Sequence, residues 1–329
     1  MPINTIMYHY VRNNENYPYD TYCRRIEEFR HQIDLFIAKS KILNPADKDE
    51  INYYLNSTND IGYLITFDDG YIDHYDCAKY LASKNCSGYF FPVIDAIEGK
   101  LLDVNAIHIL IGNRENKIQN MLTFIKEYCL KNEIKVLLGK KLVDIEYYMK
   151  NIVSSESRDR FDKEEIIVLK RLLQRDICET ENRNFICTLL LKEFYGDKYK
   201  RIVQNLYLDV KKMRKMKKLG MLFGSHGCTH RWLKKLTYDE QKRELTESIE
   251  YLKKLELIEE NDPICICYPY GSYNDNTLRI LNEINADIGF TTKVGASKID
   301  KKTCDDNFLL ERWDTNDCWD SEFRKPILP

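Results

Sequence analysis

Short apolar runs alternate with amphipathic stretches along the first hundred residues. Residues 3 to 8 read as an opening strand. In the stretch from Thr21 to Ala38, Ile26, Phe29, Ile33 and Phe36 recur at three- and four-residue steps, which predicts a helix. A short segment around Ile51 to Leu55 precedes the apolar run Tyr63 to Phe67, which predicts a buried strand. A helix from about Tyr75 to Ser83 then leads to a second strand, Ser87 to Val93. Strand, helix and strand in this order predict a βαβ unit with a parallel sheet.

From about Glu98 to Leu206 the pattern is almost only helical, with stretches at Ile107 to Ile111, Met121 to Leu130, Ile166 to Leu173 and Phe185 to Phe194. That is too long for a loop. It reads as an inserted helical subdomain, residues 98–206, serving as a lid or substrate pocket, between barrel segments 1–97 and 207–329. Beyond it Asp209 is a candidate N-cap for a helix Val210 to Leu219, and Gly220 fits just past its end. A strand Met221 to Gly224 follows, and Thr237-Tyr-Asp-Glu240 is a capping box opening a helix to about Leu255. Strand Ile264 to Tyr268, helix Asn276 to Ile284, strand Ile288 to Thr292 and the run Phe308 to Trp313 complete the alternation. The expected fold class is α/β, a distorted (β/α) barrel.

With 329 residues, 43% hydrophobic and 31% charged, the chain can hold one large α/β domain or two ordinary ones. A formal net charge of −2 makes no electrostatic case for nucleic acid. No apolar run approaches the roughly eighteen residues of a membrane span. The N-terminus lacks the basic start and long apolar stretch of a secretory signal. The eleven cysteines are odd in number and scattered, and Cys77, Cys187, Cys265 and Cys267 stand in core-like contexts. These features predict free thiols in a cytoplasmic protein, with Cys265 and Cys267 packing on one face of a strand. The basic run Lys211 to Lys218 reads as a solvated helix face, or as a patch for anionic headgroups.

The chemistry gathers at two points. Asp68 and Asp69 close the Tyr63 to Phe67 strand, and two adjacent carboxylates do not both stay ionised in an apolar setting unless a cation holds them. His226 and His230, four residues apart behind a second apolar run, complete a set of two imidazoles and one carboxylate, which suits an open Zn²⁺ site.

Thr66-Phe-Asp-Asp-Gly70, His226-Gly-Cys-Thr-His230 and Tyr268-Pro-Tyr-Gly271 together resemble the motifs of the polysaccharide deacetylase family (NodB-like, carbohydrate esterase family 4), with Gly227 in place of a hydroxyl residue. The resemblance spans about residues 3 to 95 and 207 to 314 and implies a barrel of the NodB-deacetylase type. It implies Asp69, His226 and His230 as metal ligands, Asp68 as general base, and the backbone N–H of Tyr270 as oxyanion donor. The C-terminal Leu-x-His histidine of many members is absent, and Leu310-Glu-Arg312 resembles the ending of sugar-deacetylase relatives. His9, in Met7-Tyr-His-Tyr-Val11, is the candidate replacement proton donor, as in permuted relatives, its alternative being a core histidine. Arg312 is a candidate to orient Asp68 or bind a substrate anion. His108 and His74 are weaker candidates, His31 is an ordinary helix residue, and Trp313 and Asp314 are possible sugar contacts.

The implied activity is metal-dependent removal of an N-acyl group, acetyl foremost, from an amino sugar. The expected substrate is nucleotide- or lipid-linked, in surface glycan or lipopolysaccharide biosynthesis. The rivals are a deacetylase of polymeric chitin or peptidoglycan, and an inactive barrel that binds carbohydrate.

Overall fold

Strand β3 (Gly62–Asp69) is buried along its whole length and sits at the centre of the sheet. Such a strand needs apolar side chains on both faces, and the alternation divides them. Tyr63, Ile65 and Phe67 pack outward with Phe29, Phe36, Ala78, Leu81 and Met216 from flanking helices. Leu64 packs inward with Phe91, Cys265, Cys267, Phe290 and Leu310. Outward, Phe67 stacks on Phe90 with ring centroids 4.4 Å apart and on Tyr8 at 5.3 Å.

In this computed structural model the described residues are 3–57, 60–113, 117–152, 163–297 and 306–315. They divide into two compact units, one of 1–13, 22–100 and 205–329, the other of 14–21 and 101–204.

In the first unit, parallel strands β1 (Ile3–Tyr8), β3, β4 (Tyr89–Pro92) and β5 (Leu222–Phe223) lie side by side, with β8 (Trp313–Asp314) against β1 and the short β2 (Lys41–Ile42) also on β3. Strands β6 (Cys265–Cys267) and β7 (Ile288–Phe290) pair with each other. Single bridges, Ser225 to Ile266 and Phe290 to Leu310, join this pair to the rest on both sides. The strands thus form a distorted parallel barrel with helices outside it. Asp209 caps the helix Val210–Lys218 by accepting from the Lys212 N–H, and Thr237 with Glu240 forms the capping box of Tyr238–Lys254.

The first helix starts later than its periodicity predicts, at Ile26 rather than Thr21. Residues just before it are extended because Arg24 bridges Val11: the Arg12 N–H donates to the Arg24 carbonyl and the Arg24 N–H to that of Tyr10. Tertiary pairing overrides local helical preference there.

The second unit carries helices Asp103–Ile111, Ile118–Lys131, Ile145–Asn151, Glu164–Arg171, Thr180–Tyr195 and Lys198–Gln204. Leu110, Met121, Ile125, Leu169 and Leu190 belong to its core. It is not wholly helical. Val136–Leu138 and Lys141–Val143 form an antiparallel hairpin turned at Gly139, whose φ is +62°. Residues 14–21, which the sequence reading left with the barrel, group with this unit.

Candidate active site

The C-terminal end of β3 is where the site begins. Regular alternation would send Asp68 and Asp69 to opposite faces of the sheet. Left-handed backbone at Asp69 (φ 69°) and Gly70 (φ 73°) breaks that alternation, and both carboxylates end up buried. Gly70 has no alternative, since a Cβ there would stand 2.8 Å from Cβ of Pro92.

His226 and His230 come from the loop after β5. The buried Glu244 carboxylate holds that loop, accepting from the N–H groups of Cys228 and Thr229 at 2.8 and 3.0 Å and from the Thr229 hydroxyl. Gly227 sits beneath it with φ 79°, where a Cβ would meet Glu244 Oε2 at 3.1 Å. A hydroxyl residue here, as the motif expects, would therefore be strained.

Asp69, His226, His230 and Tyr270 meet at this point. Oδ1 of Asp69 lies 3.4 Å from Nε2 of His226 and 3.3 Å from Nε2 of His230. Ligand atoms about 2.05 Å from a tetrahedral ion stand about 3.3 Å apart, so the spacing fits zinc geometry. The same Oδ1 is buried without a hydrogen bond among the described residues, an unfavourable state unless a cation meets it. Nδ1 of His226 lies 2.8 Å from the Cys267 carbonyl, which can only accept. Nδ1 therefore carries a proton and Nε2 is the atom that faces Asp69; burial would lower the His226 pKa, but Cys267 and the two aspartates push it up. Burial pushes the His230 pKa down, towards the neutral form that ligates. Burial would raise Asp69, but the two facing imidazoles hold its carboxyl well below the usual range. The donor set fits a divalent ion.

Asp68 is gripped differently. Arg312 donates from Nη1 to Oδ1 at 2.9 Å and from Nη2 to Oδ2 at 2.8 Å, while its Nε donates to the Thr291 carbonyl. Burial raises the Asp68 pKa, and the guanidinium overrides that and keeps the carboxyl well below its ordinary value. His9 Nε2 stands 3.8 Å from Asp68 Oδ2, with its side chain 37% exposed. His74 is fully buried, its Nε2 2.8 Å from the His9 carbonyl, so it supports His9 from behind and lies off the site. Tyr270 (φ 57°) packs its ring edge on His230 at 4.6 Å and stacks on Trp232 at 4.5 Å. Trp313 and Asp314 pair with β1, and Trp313 donates to Asn4.

Backbone strain marks the same place. Among the described residues seven non-glycine positions have positive φ. Asn85, Glu133, Glu256 and Asn285 follow helix ends, where left-handed turns are routine. The other three are Asp69, His230 and Tyr270, and strain without a capping role clusters at functional sites.

Three contributors escaped the sequence reading. Cys267, expected to be a packing residue, donates its thiol to Asp68 at 3.3 Å and receives a hydrogen bond from Arg312 at 3.1 Å. Glu244 looks like a solvated helix acid in sequence. Tyr71 donates its hydroxyl to Asp69 Oδ2 at 2.7 Å; an aromatic after Asp-Asp-Gly was the only available hint.

Residues 192–289 match the family model described as "Polysaccharide deacetylase". Over that stretch the chain is similar to the polysaccharide deacetylases. The match includes both histidines and the Pro-Tyr turn, while the Asp68-Asp69 strand lies outside it and joins through the geometry above. Among solved structures, the Streptococcus pyogenes deacetylase PplD is 18% identical with a TM-score of 0.52, over 95% of this chain and 90% of that one. IcaB from Ammonifex degensii is 14% identical with a TM-score of 0.52, over 95% and 91%. The putative polysaccharide deacetylase BA0330 from Bacillus anthracis is 15% identical with a TM-score of 0.52, over 94% and 63%. At these identities the likeness shows the fold. Among curated proteins none matches the chain at a significant level. No described helix is long and apolar enough to cross a membrane.

Proposed function

We propose that the chain hydrolyses the N-acetyl group of an amino sugar, with a divalent ion, zinc foremost, held by Asp69, His226 and His230. The observation that carries this is the buried, unbonded Oδ1 of Asp69 facing two imidazole nitrogens at 3.3 and 3.4 Å, beside a second carboxylate kept ionised by Arg312. When bound, the ion supplies Lewis acidity for the acyl carbonyl and for the attacking water.

The residues do the rest. Asp68, ionised and oriented by two hydrogen bonds, takes the proton from the attacking water. Held at so low a proton affinity, it must pass that proton on, and the partly exposed His9, at 3.8 Å, is the carrier. His9 then protonates the departing amine, whose carbon–nitrogen bond breaks to leave acetate and a free amino sugar. The role of backbone donor to the oxyanion falls to Tyr270, which its strained backbone and packing on His230 support.

For the substrate we favour an amino sugar on a nucleotide or lipid carrier, in surface glycan assembly. An inserted segment as long as 98–206 suits a substrate of limited size. The nine cysteines among the described residues are free thiols, which suits a reducing compartment such as the cytoplasm. The polymer reading has its own support in the family description and in the Bacillus anthracis neighbour. Acetate release from nucleotide-linked, lipid-linked and polymeric N-acetyl amino sugars separates the two. Turnover of polymer alone removes the carrier-linked proposal, and no release from any of them leaves the inactive, sugar-binding barrel.

A further inference from the structure

The two oxygens of Asp69 live in different surroundings. Oδ2 receives the Tyr71 hydroxyl at 2.7 Å, whereas Oδ1 has no hydrogen bond among the described residues and faces both imidazoles. The Tyr71 phenol is fully buried and held on several sides. Its ring stacks on Tyr10 at 4.0 Å and on Tyr207 at 6.3 Å, and meets the His74 ring edge-on at 5.6 Å. The Arg12 guanidinium, itself paired with buried Asp73, lies 5.7 Å from the ring centre. Tyr71 bridges Tyr207 through its backbone, and its carbonyl accepts from the His74 N–H. A ring packed on these sides is held with its hydroxyl on Asp69 Oδ2.

We propose that Tyr71 is a positioning residue that restricts Asp69 to coordination through one oxygen, and thereby sets the affinity and selectivity of the site for its ion. This rests on the reading of Asp69, His226 and His230 as ligands. A carboxylate with both oxygens open can chelate an ion with two, which raises the coordination number and suits larger, harder cations. One whose second oxygen is occupied by a hydroxyl gives a single donor, which suits four-coordinate zinc. Groups that orient a metal ligand in this way typically account for roughly 10- to 100-fold in metal affinity.

The test is a competition titration of full-length wild type and Tyr71→Phe against a chromophoric chelator, with Zn²⁺ and Mn²⁺ separately, followed by the visible spectrum of each Co²⁺-loaded form. The expected result is a Zn²⁺ Kd raised roughly 10- to 100-fold in the variant, with a smaller loss for Mn²⁺ and a Co²⁺ spectrum shifted to higher coordination. An unchanged Zn²⁺ Kd with an unchanged Co²⁺ spectrum overturns the role of Tyr71 and leaves the ligand assignment standing. Wild type that binds no stoichiometric divalent ion overturns both. X-ray absorption of the zinc-loaded wild type needs no variant: one Asp69 oxygen at bonding distance is expected, and two contradict the inference.

Discussion

Arg312 holds both oxygens of Asp68, at 2.9 and 2.8 Å, from the residue just before β8, more than two hundred positions along the chain. The pair is buried, with the Arg312 side chain at 0% exposure and that of Asp68 at 2%. Removing one member of such a pair leaves an uncompensated charge, which costs about 3–5 kcal/mol. Arg312→Ala is therefore expected to lower unfolding stability by about that amount, and Arg312→Leu with Asp68→Asn to recover part of it. Arg312→Lys, with one point charge in place of a planar fork, should keep the fold better than it keeps turnover. Urea melts and kcat on the three variants check this.

Asp68→Asn removes the proton acceptor and leaves Asp69, His226 and His230 in place. Metal content should match wild type while kcat falls roughly 10²- to 10⁴-fold. Loss of the metal together with activity would mean that Asp68 is itself a ligand.

His9→Gln tests the proton donor. With an amide substrate kcat should fall roughly 10²- to 10⁴-fold at similar KM, since the amine leaves only when protonated. With an activated aryl ester, whose leaving group needs no proton, the variant should retain most of its rate. Equal losses on both substrates would assign His9 a different task.

His74 predicts a pH dependence of stability. Burial pushes its pKa down to about 4 from the ordinary 6.5, against the opposing pull of its hydrogen bond to the His9 carbonyl and the nearby carboxylates. As pH falls below 6.5 the unfolded chain takes up this proton before the folded one does. The contribution is fully present above that value and is lost as pH drops towards 4, by roughly 3 kcal/mol in all. The difference in urea stability between wild type and His74→Gln should shrink accordingly between pH 7.5 and 4.5. A constant difference would show that His74 titrates alike in the folded and unfolded chain, and a growing one that it is charged in the fold already.

Much of the barrel and the centre of the site was legible because its signals are local. Asp68-Asp69 at a strand end, two histidines four apart and the capping box at Thr237 each announce themselves within a few residues. What escaped depends on partners far along the chain. Cys267 alternates correctly for a packed strand, and nothing near it says that its thiol touches Asp68. Glu244 lies on a helix rich in acids and becomes a loop anchor only when Cys228 and Thr229 fold beneath it. Residues 22–25 read as helix until Val11 pairs with Arg24. The hairpin at Gly139 was hidden because its strands are only three residues each, too short for alternation to outweigh the helical patterns around them.

The most direct measurement is an anomalous difference map of crystals grown with zinc, collected at the zinc edge. One peak within about 2.0–2.2 Å of Asp69 Oδ1 and Nε2 of both His226 and His230 is the result expected. A protein that stays free of zinc at saturating concentration, or a peak that omits any of these three side chains, contradicts the account.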